Sequence, residues 1–487
     1  MIMINNNVTV KMKSRPINDG WIDLFSFSMF VMFLTGIVLS AFVFDSNFQI
    51  VFSIGLLGTF LFIIVAEYYM FGTRELSFYM TIPLIISATQ NIYLGIMAPN
   101  VEAIQIQILV VYNFLFSVFI CFFTALTQSH NLKLYSVKST IKILLFTIFY
   151  ALATMVLFRA DPMSGVASLR NIINPMLFFL LGLLTCNLTI TNRFLKYVCY
   201  IAWFVFLFGL YERFISPNIW EILNLSELWI KKGLPVHAIS GLPLNYYSSE
   251  KIGGEQIRRM VSSFADPVNL GTFLFFGFAA AWFLKKYLLA ILMIVATALT
   301  ISKGAILGLL VFIVVWAKYY TPKIIFTLTI IITLIIGSCF LMYTMLHSTM
   351  SALLHITGFF SAFLELPHHP LGRGLGNIGV LAGLYSDGSA SEITESGFGM
   401  VIGQLGVIGL FLYVYFFYFM FKSTTFIEDT REKVLAQSLF IGITLNIMFN
   451  EVALSPNSSA IYFILLGVLC GKCIRDRTVI KTKKIVW

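Results

Sequence analysis

"YLLAILMIVATALTISKGAILGLLVFIVVW", Tyr287 to Trp316, runs for 30 residues with a single charge, Lys303, near its middle. The hydrocarbon core of a bilayer is crossed by about 20 helical residues, so this run is too long for one comfortable span. Ser302, Lys303 and Gly304 supply the residues of a tight turn, and the run divides most economically into two short helices that double back at Lys303.

Runs of the same kind recur from Ile22 almost to the end of the 487 residues, of which 59% are hydrophobic and 11% charged. The longest polar stretches are interrupted by Trp, Ile and Leu, so no separate soluble core is expected. The chain reads as an all-α, polytopic integral membrane protein of about fourteen transmembrane helices, over 22–44, 50–71, 76–97, 104–127, 140–158, 172–190, 195–215, 263–284, 286–301, 304–319, 323–346, 397–421, 434–452 and 458–474. Two long loops, 216–262 and 347–396, are left between them. The polar start, MIMINNNVTVKMKSRPIND, leads into a full-length apolar run without a small-residue cleavage site, so no removable signal peptide is expected. The chain divides into N-terminal helices (1–160), a central region holding both long loops (161–425), and C-terminal helices with a basic tail (426–487).

Charge sets the orientation. With both termini in the cytoplasm, 22 of the 32 basic residues fall on the cytoplasmic side, as membrane proteins prefer. That distribution accounts for the net charge of +10 without invoking nucleic acid as a partner. Cys470 and Cys473 have C-x-x-C spacing but sit at the cytoplasmic end of the last helix with no second pair, and the other four cysteines lie in apolar runs. Neither metal nor cofactor is expected. Ten basic residues remain outside or near the outer face: Arg159, Arg170, Arg213, Lys231, Lys232, Lys251, Arg258, Arg259, Lys303 and Arg373. A cation near hydrocarbon costs about 3 kcal/mol unless solvated or paired. Lys231, Lys232 and Lys251 read as solvated loop residues.

The arginines read differently. Arg170 is expected at the outer start of a helix, where its charge would add to the positive end of the dipole and suit an anion. Arg258 and Arg259 precede a span whose mouth carries Asp266 and Pro267, with Asp266 able to cap that helix or pair with an arginine. Arg373 lies in "HHPLGRGLGNIG", His368 to Gly379. Its glycines permit positive φ and close backbone approach, so the segment can fold as a turn whose N–H groups and guanidinium face a phosphate. Arg170, Arg258, Arg259, Lys303 and Arg373 would then meet a lipid-linked diphosphate at the outer membrane surface. Guanidinium forks grip phosphate oxygens bidentately, and fixed cations stabilise a departing diphosphate without metal.

"MVSSFADPVNLGTFL", "TISKGAILGLL", "HHPLGRGLGNIG" and "ESGFGMVIGQLGVIGL" follow one another in the order, spacing and topology of the O-antigen polymerase and O-antigen ligase superfamily, which the chain resembles over roughly residues 160 to 425. The resemblance implies a bacterial inner-membrane enzyme that transfers a glycan from undecaprenyl diphosphate to a sugar hydroxyl, by an inverting, metal-independent route. It also implies a flippase and a chain-length regulator as partners. Ligases of the superfamily typically carry H-N-x9-G-x-x-G where this chain has Glu395, Ser396, nine residues, Gly406 and Gly409, so the resemblance favours the polymerase branch over the ligase. The usual Ser-Arg-Gly of the short turn is here Ser302-Lys303-Gly304, which keeps charge and loses the fork.

Glu395 is the expected acceptor-orienting group or base, and His369 the alternative, because an imidazole exchanges protons readily near neutral pH. Tyr246, Tyr247, Trp220, Trp229 and Tyr385, with Asp387 and Glu392, are expected to hold the acceptor and growing chain. A lipid-linked glycan flippase is the reading from another class. It would require charges along a mid-membrane path and related halves, and no internal repeat is evident.

Overall fold

In the computed structural model, which describes residues 19–43, 46–71, 76–186, 190–237, 240–252, 255–347, 349–385 and 395–484, the run from Tyr287 to Trp316 is two helices with Ile301 in the left-handed region between them, φ 51°. In chain order the helices are α1 Asp19–Val43, α2 Ser46–Phe71, α3 Leu76–Tyr79, α4 Ile82–Met97, α5 Ala103–Thr127, α6 Tyr135–Leu157, α7 Pro162–Leu184, α8 Ile190–Leu210, α9 Ile219–Ile222 and α10 Leu225–Lys231. After a hairpin of β1 Tyr247–Ile252 and β2 Glu255–Arg258 come α11 Pro267–Phe283, α12 Tyr287–Thr300, α13 Lys303–Tyr320, α14 Lys323–His347, α15 Thr349–Glu365, α16 Val380–Tyr385, α17 Gly397–Thr425, α18 Thr430–Phe449 and α19 Pro456–Lys484. Nine helices among the described residues are long and apolar enough to cross a membrane.

Two departures from an all-helical bundle with plain loops are informative. The first long loop folds into a cap of its own, α9, α10 and the antiparallel hairpin, in which Tyr247 faces Arg258 and Lys251 faces Gln256. The second contains α15, a 17-residue helix that packs on α17 and α18. Its apolar residues are interrupted by Ser351, His355, Thr357 and Ser361, which kept it below the hydropathy expected of a span.

At the centre lie α7 and α19. Every α7 residue from Asn171 to Leu184 is buried, as are most residues of α19 up to Cys470. Their backbones touch where Gly182 meets Ile464 and Gly467 meets Phe179, positions at which any Cβ would overlap the partner helix. Small residues at such a crossing allow the dispersion contacts that hold membrane helices together when both sides are equally apolar. Helices at the periphery do the opposite and turn apolar side chains outward. Phe149 and Val156 on α6, and Ile324 and Leu334 on α14, are among the most exposed residues. Water would penalise such a surface and hydrocarbon does not, which makes this a membrane protein.

The two ends of the bundle differ. At one end Arg431 donates to the carbonyl of Phe283 at 2.6 Å and Lys472 pairs with Glu432 at 2.6 Å, close to Lys285 and Lys286. At the other stand the cap, the glycine-rich segment and the starts of α11, α13, α17 and α19.

Candidate functional site

Asp266 opens α11: its carboxylate accepts the N–H of Asn269 at 2.9 Å, with Pro267 next, the expected cap. The other carboxylate oxygen accepts from Asn245 at 2.8 Å. Arg259 reaches across to the C-terminal end of α12, donating through Nε to Thr300 O at 2.7 Å and through Nη2 to Ile301 O at 3.5 Å, where a cation complements the helix dipole. The structure thus brings Arg259, Asp266 and the turn leading into Lys303 together. Burial raises the Asp266 carboxyl above its usual range, opposed by the Asn269 N–H and by the nearby Arg259 charge.

Arg258 does not stand open for a phosphate. Its guanidinium is paired with Glu212 at 2.8 Å, donates to Pro217 O at 2.9 Å, and its partner carboxylate is fully buried. Glu212 lies 46 residues away at the end of an apolar run, a position from which no sequence pattern links the two. Lys231 and Lys232 are not solvated either. Lys231 donates to the carbonyls of Ala98 (2.5 Å) and Val101 (2.9 Å) beyond the end of α4. Lys232 hydrogen-bonds Asn91 of α4 at 2.8 Å, with its ammonium 5.0 Å from the centre of the Trp229 ring. Burial pulls the Lys232 amine down to about 7, with Asp266 acting in the opposite direction.

Tyr246 and Trp220 are core residues, not open sugar platforms: both are fully buried and edge-on at 6.4 Å, with Trp220 also 6.0 Å from Phe208 of α8, and Trp229 is buried as well. Burial, with Glu212 and Asp266 nearby, holds the Tyr246 hydroxyl well above the usual phenol range. Tyr247 is half-buried, its ring 5.0 Å from that of His237. Asp387 and Glu392 lie outside the described residues, as does the side chain of Tyr385.

The glycine-rich segment also differs from a phosphate nest. Gly372, Gly374, Gly376 and Gly379 all have positive φ, as their type permits. The N–H groups of three of these glycines and of Arg373, however, are spent within the protein. Gly372 N donates to His369 O at 2.9 Å, Arg373 N to Gly403 O at 2.8 Å, Gly374 N to Gln404 O at 3.1 Å, and Gly376 N to the Gln404 side chain at 3.1 Å. The segment is threaded over a break in α17 at Gly406 (φ 61°), where Gly372 and Gly406 pack backbone on backbone. Gln404, fully buried, also donates to Ser168 of α7 at 3.3 Å and to Ile378 O. What the segment presents is side chains: Arg373, ion-paired with Glu365, and the exposed His369 line a cleft between α15 and α17.

Arg170 is not at a helix start. Asp161 caps α7, accepting from Ser164 N at 2.7 Å, so Arg170 lies eight residues inside, about 12 Å from the end, where the dipole no longer matters. It is half-buried, with Asn171 Oδ1 at 3.5 Å. Glu395 is half-buried and immediately precedes Ser396, which caps α17 by accepting from Gly399 N at 2.9 Å. Its carbonyl accepts from Glu451 N at 3.0 Å, and the buried Glu451 carboxylate accepts from Val380 N at 2.8 Å. Gly304, next to Lys303, packs on Asn446 of α18, and Met448 O accepts from Ser396 at 2.6 Å. The corner between α18 and α19 therefore bridges the Lys303 turn, Glu395 and the end of the glycine-rich segment. Four of the five expected cations share one end of the bundle in two neighbouring groups, Arg258, Arg259 and Lys303 under the cap and Arg373 at the cleft, and Arg170 lies deeper, within α7.

No family model matches the chain, and neither does any curated protein sequence.

Proposed function

We propose that this chain is a membrane glycosyltransferase of polymerase type, joining undecaprenyl-diphosphate-linked oligosaccharide repeat units at the outer face of a bacterial plasma membrane. The observation that carries the reading is the gathering of Arg259, Lys303 and Arg373 at one end of an apolar bundle, opposite the end that holds Lys285, Arg431 and Lys472. In this reading the second end is cytoplasmic, and five of the six shorter apolar helices, all but the one within α15, join the nine long ones to make fourteen spans. The central region, 161–425, supplies the reacting end.

The chemistry follows from the charges. The acceptor hydroxyl oxygen forms a bond to the donor's anomeric carbon, whose bond to the diphosphate oxygen breaks with inversion. The hydroxyl proton passes to a base, for which the Glu395 carboxylate is the choice and the His369 imidazole the alternative, and the charge left on the lipid diphosphate is met by arginine. A chain-length regulator and a flippase supplying repeat units are the partners of this reaction. Transfer to a lipid core, the ligase reaction, uses the same donor chemistry and differs in the acceptor.

Glycan length in a deletion strain tests the reading. Loss of long chains with single repeats still attached to the lipid core supports a polymerase. Loss of all attachment would instead mean a ligase, and failure of repeats to reach the outer leaflet a flippase. Complementation with Arg259→Lys is expected to fail, since lysine keeps the charge and loses the fork. Complementation with Glu395→Gln at normal membrane level would remove Glu395 as base.

A further inference from the structure

The cap does not stand clear above the bundle. Lys232, at the end of α10, hydrogen-bonds Asn91 at 2.8 Å, and Asn91 lies six residues short of the end of α4 at Met97, about 9 Å along the axis. Gly95 of α4 meets the carbonyl of Leu223 so closely that any Cβ there would overlap it. Lys231 reaches the carbonyls of Ala98 and Val101 just beyond the same helix end. α9 and α10 are therefore level with the last two turns of one of the nine long apolar helices.

At that level the cap turns apolar side chains outward. Phe204, Leu207 and Tyr211 are exposed at helical spacing along α8 and its final turn, a stripe of the kind that faces hydrocarbon. The stripe does not stop where the cap begins. Phe214 and Ile215, then Ile222 of α9 and Ile230 of α10, are each 60% or more exposed, whereas Trp220 and Trp229 of the same helices are buried. Arg213 lies with its guanidinium 5.5 Å from the centre of the Phe214 ring, a cation backed by an aromatic face as at headgroup level. Residues 211–232 carry three basic and three acidic side chains, so attraction to anionic lipid does not hold this face, and apolar contact must.

We propose that the cap is seated in the lipid interface, with Phe214, Ile215, Ile222 and Ile230 entering the headgroup and acyl boundary of the leaflet at this end of the bundle. The bilayer is then a partner of the cap as well as of the spans. Apolar side chains that water would penalise are covered, and Glu221, next to Ile222 but about 100° round the helix, stays in water. The placement is the same whichever side of the membrane this end faces and whatever reaction the chain performs.

Spin labels test it, attached through Ile222→Cys, Ile230→Cys, Leu207→Cys and Glu221→Cys, one at a time, in full-length protein whose six native cysteines are replaced by alanine. In nanodiscs of phosphatidylethanolamine and phosphatidylglycerol, power saturation with oxygen and with a nickel chelate reads the depth of each label. Ile222 and Ile230 should lie about 5–10 Å into the headgroup and acyl boundary, with Leu207 deeper and Glu221 in water. Readings at Ile222 and Ile230 equal to that of Glu221 would overturn the seating. A second measurement keeps the native cysteines and places a benzophenone side chain at Ile222 or Ile230. Illumination in the same nanodiscs should give phospholipid adducts, as at Leu207. Loss of those adducts would overturn the seating even where the cysteine-free chain fails to elute as a single species. Adducts to a second copy of the chain in their place would overturn it too and assign the face to self-association.

Discussion

Replacing Glu212 by Gln should loosen the cap without disturbing the bundle beneath it. Arg258 is 15% exposed and Glu212 not at all, so the neutral amide would leave a nearly buried guanidinium facing no opposite charge in the pair. Breaking such a pair from one side costs about 3–5 kcal/mol. The lower limit applies here, because Arg258 keeps the Pro217 carbonyl at 2.9 Å and the new amide oxygen can still accept one hydrogen bond. About 3 kcal/mol corresponds to somewhat more than a hundredfold in the equilibrium for local opening. Hydrogen exchange reads this directly at the two amides that tie the cap down, Arg259 N to Tyr246 O (2.8 Å) and Met260 N to Leu299 O (2.9 Å). Their exchange should accelerate by that factor, while amides in α7 and α19 stay protected. The double replacement Glu212→Met with Arg258→Met should restore most of the protection, since no charge is then buried. Exchange within about twofold of wild type in Glu212→Gln would refute the assignment of the pair as the cap's anchor.

Three further outcomes follow from the same contacts. The Lys232 amine titrates at about 7 in the folded chain against about 10.4 when unfolded, so between these values the unfolded state binds more protons and the cap gains stability as pH rises. Protection of the cap from protease should increase from about pH 7 to 10 and lose that dependence in Lys232→Met. Gln404→Leu strands the N–H of Gly376 and should cost about 1–3 kcal/mol, measured as faster exchange across the glycine-rich segment. Raising salt from about 0.1 to 1 M should weaken the half-exposed Arg373–Glu365 contact and leave the Arg258–Glu212 contact in place, read by guanidinium NMR of the two arginines.

The helices were legible because their cause is one-dimensional: length and hydropathy suffice to divide Tyr287–Trp316 at Lys303, and α12 and α13 meet there. The same arithmetic missed α15, which spends part of its surface on α17 and α18 and so carries polar residues among its apolar ones. At the outer end, the cations were legible as exceptions to the charge rule, but their counter-charges were not. Glu212 and Glu365 have no periodic relation to Arg258 and Arg373 and become partners only through the fold. Tyr246 and Trp220 look like ligand platforms in any long polar loop. Their complete burial against each other and against Phe208 of α8 assigns them to packing.

These partnerships divide the outer arginines by what each could release. An ion pair inside the protein has already lost its water, so an incoming phosphate at Arg258 would have to strip itself of hydration while leaving Glu212 buried and alone, two costs with one gain. At Arg373 neither cost applies in full, because Glu365 can return to solvent. Arg259 is a third case: its guanidinium donates to the carbonyls of Thr300, Ile301 and Asn245, with the Asp266 charge nearby, in a place fixed by the end of α12. One arginine thus holds the cap, one can change partners, and one is a stationary positive charge, a difference set by burial and by the kind of acceptor each meets.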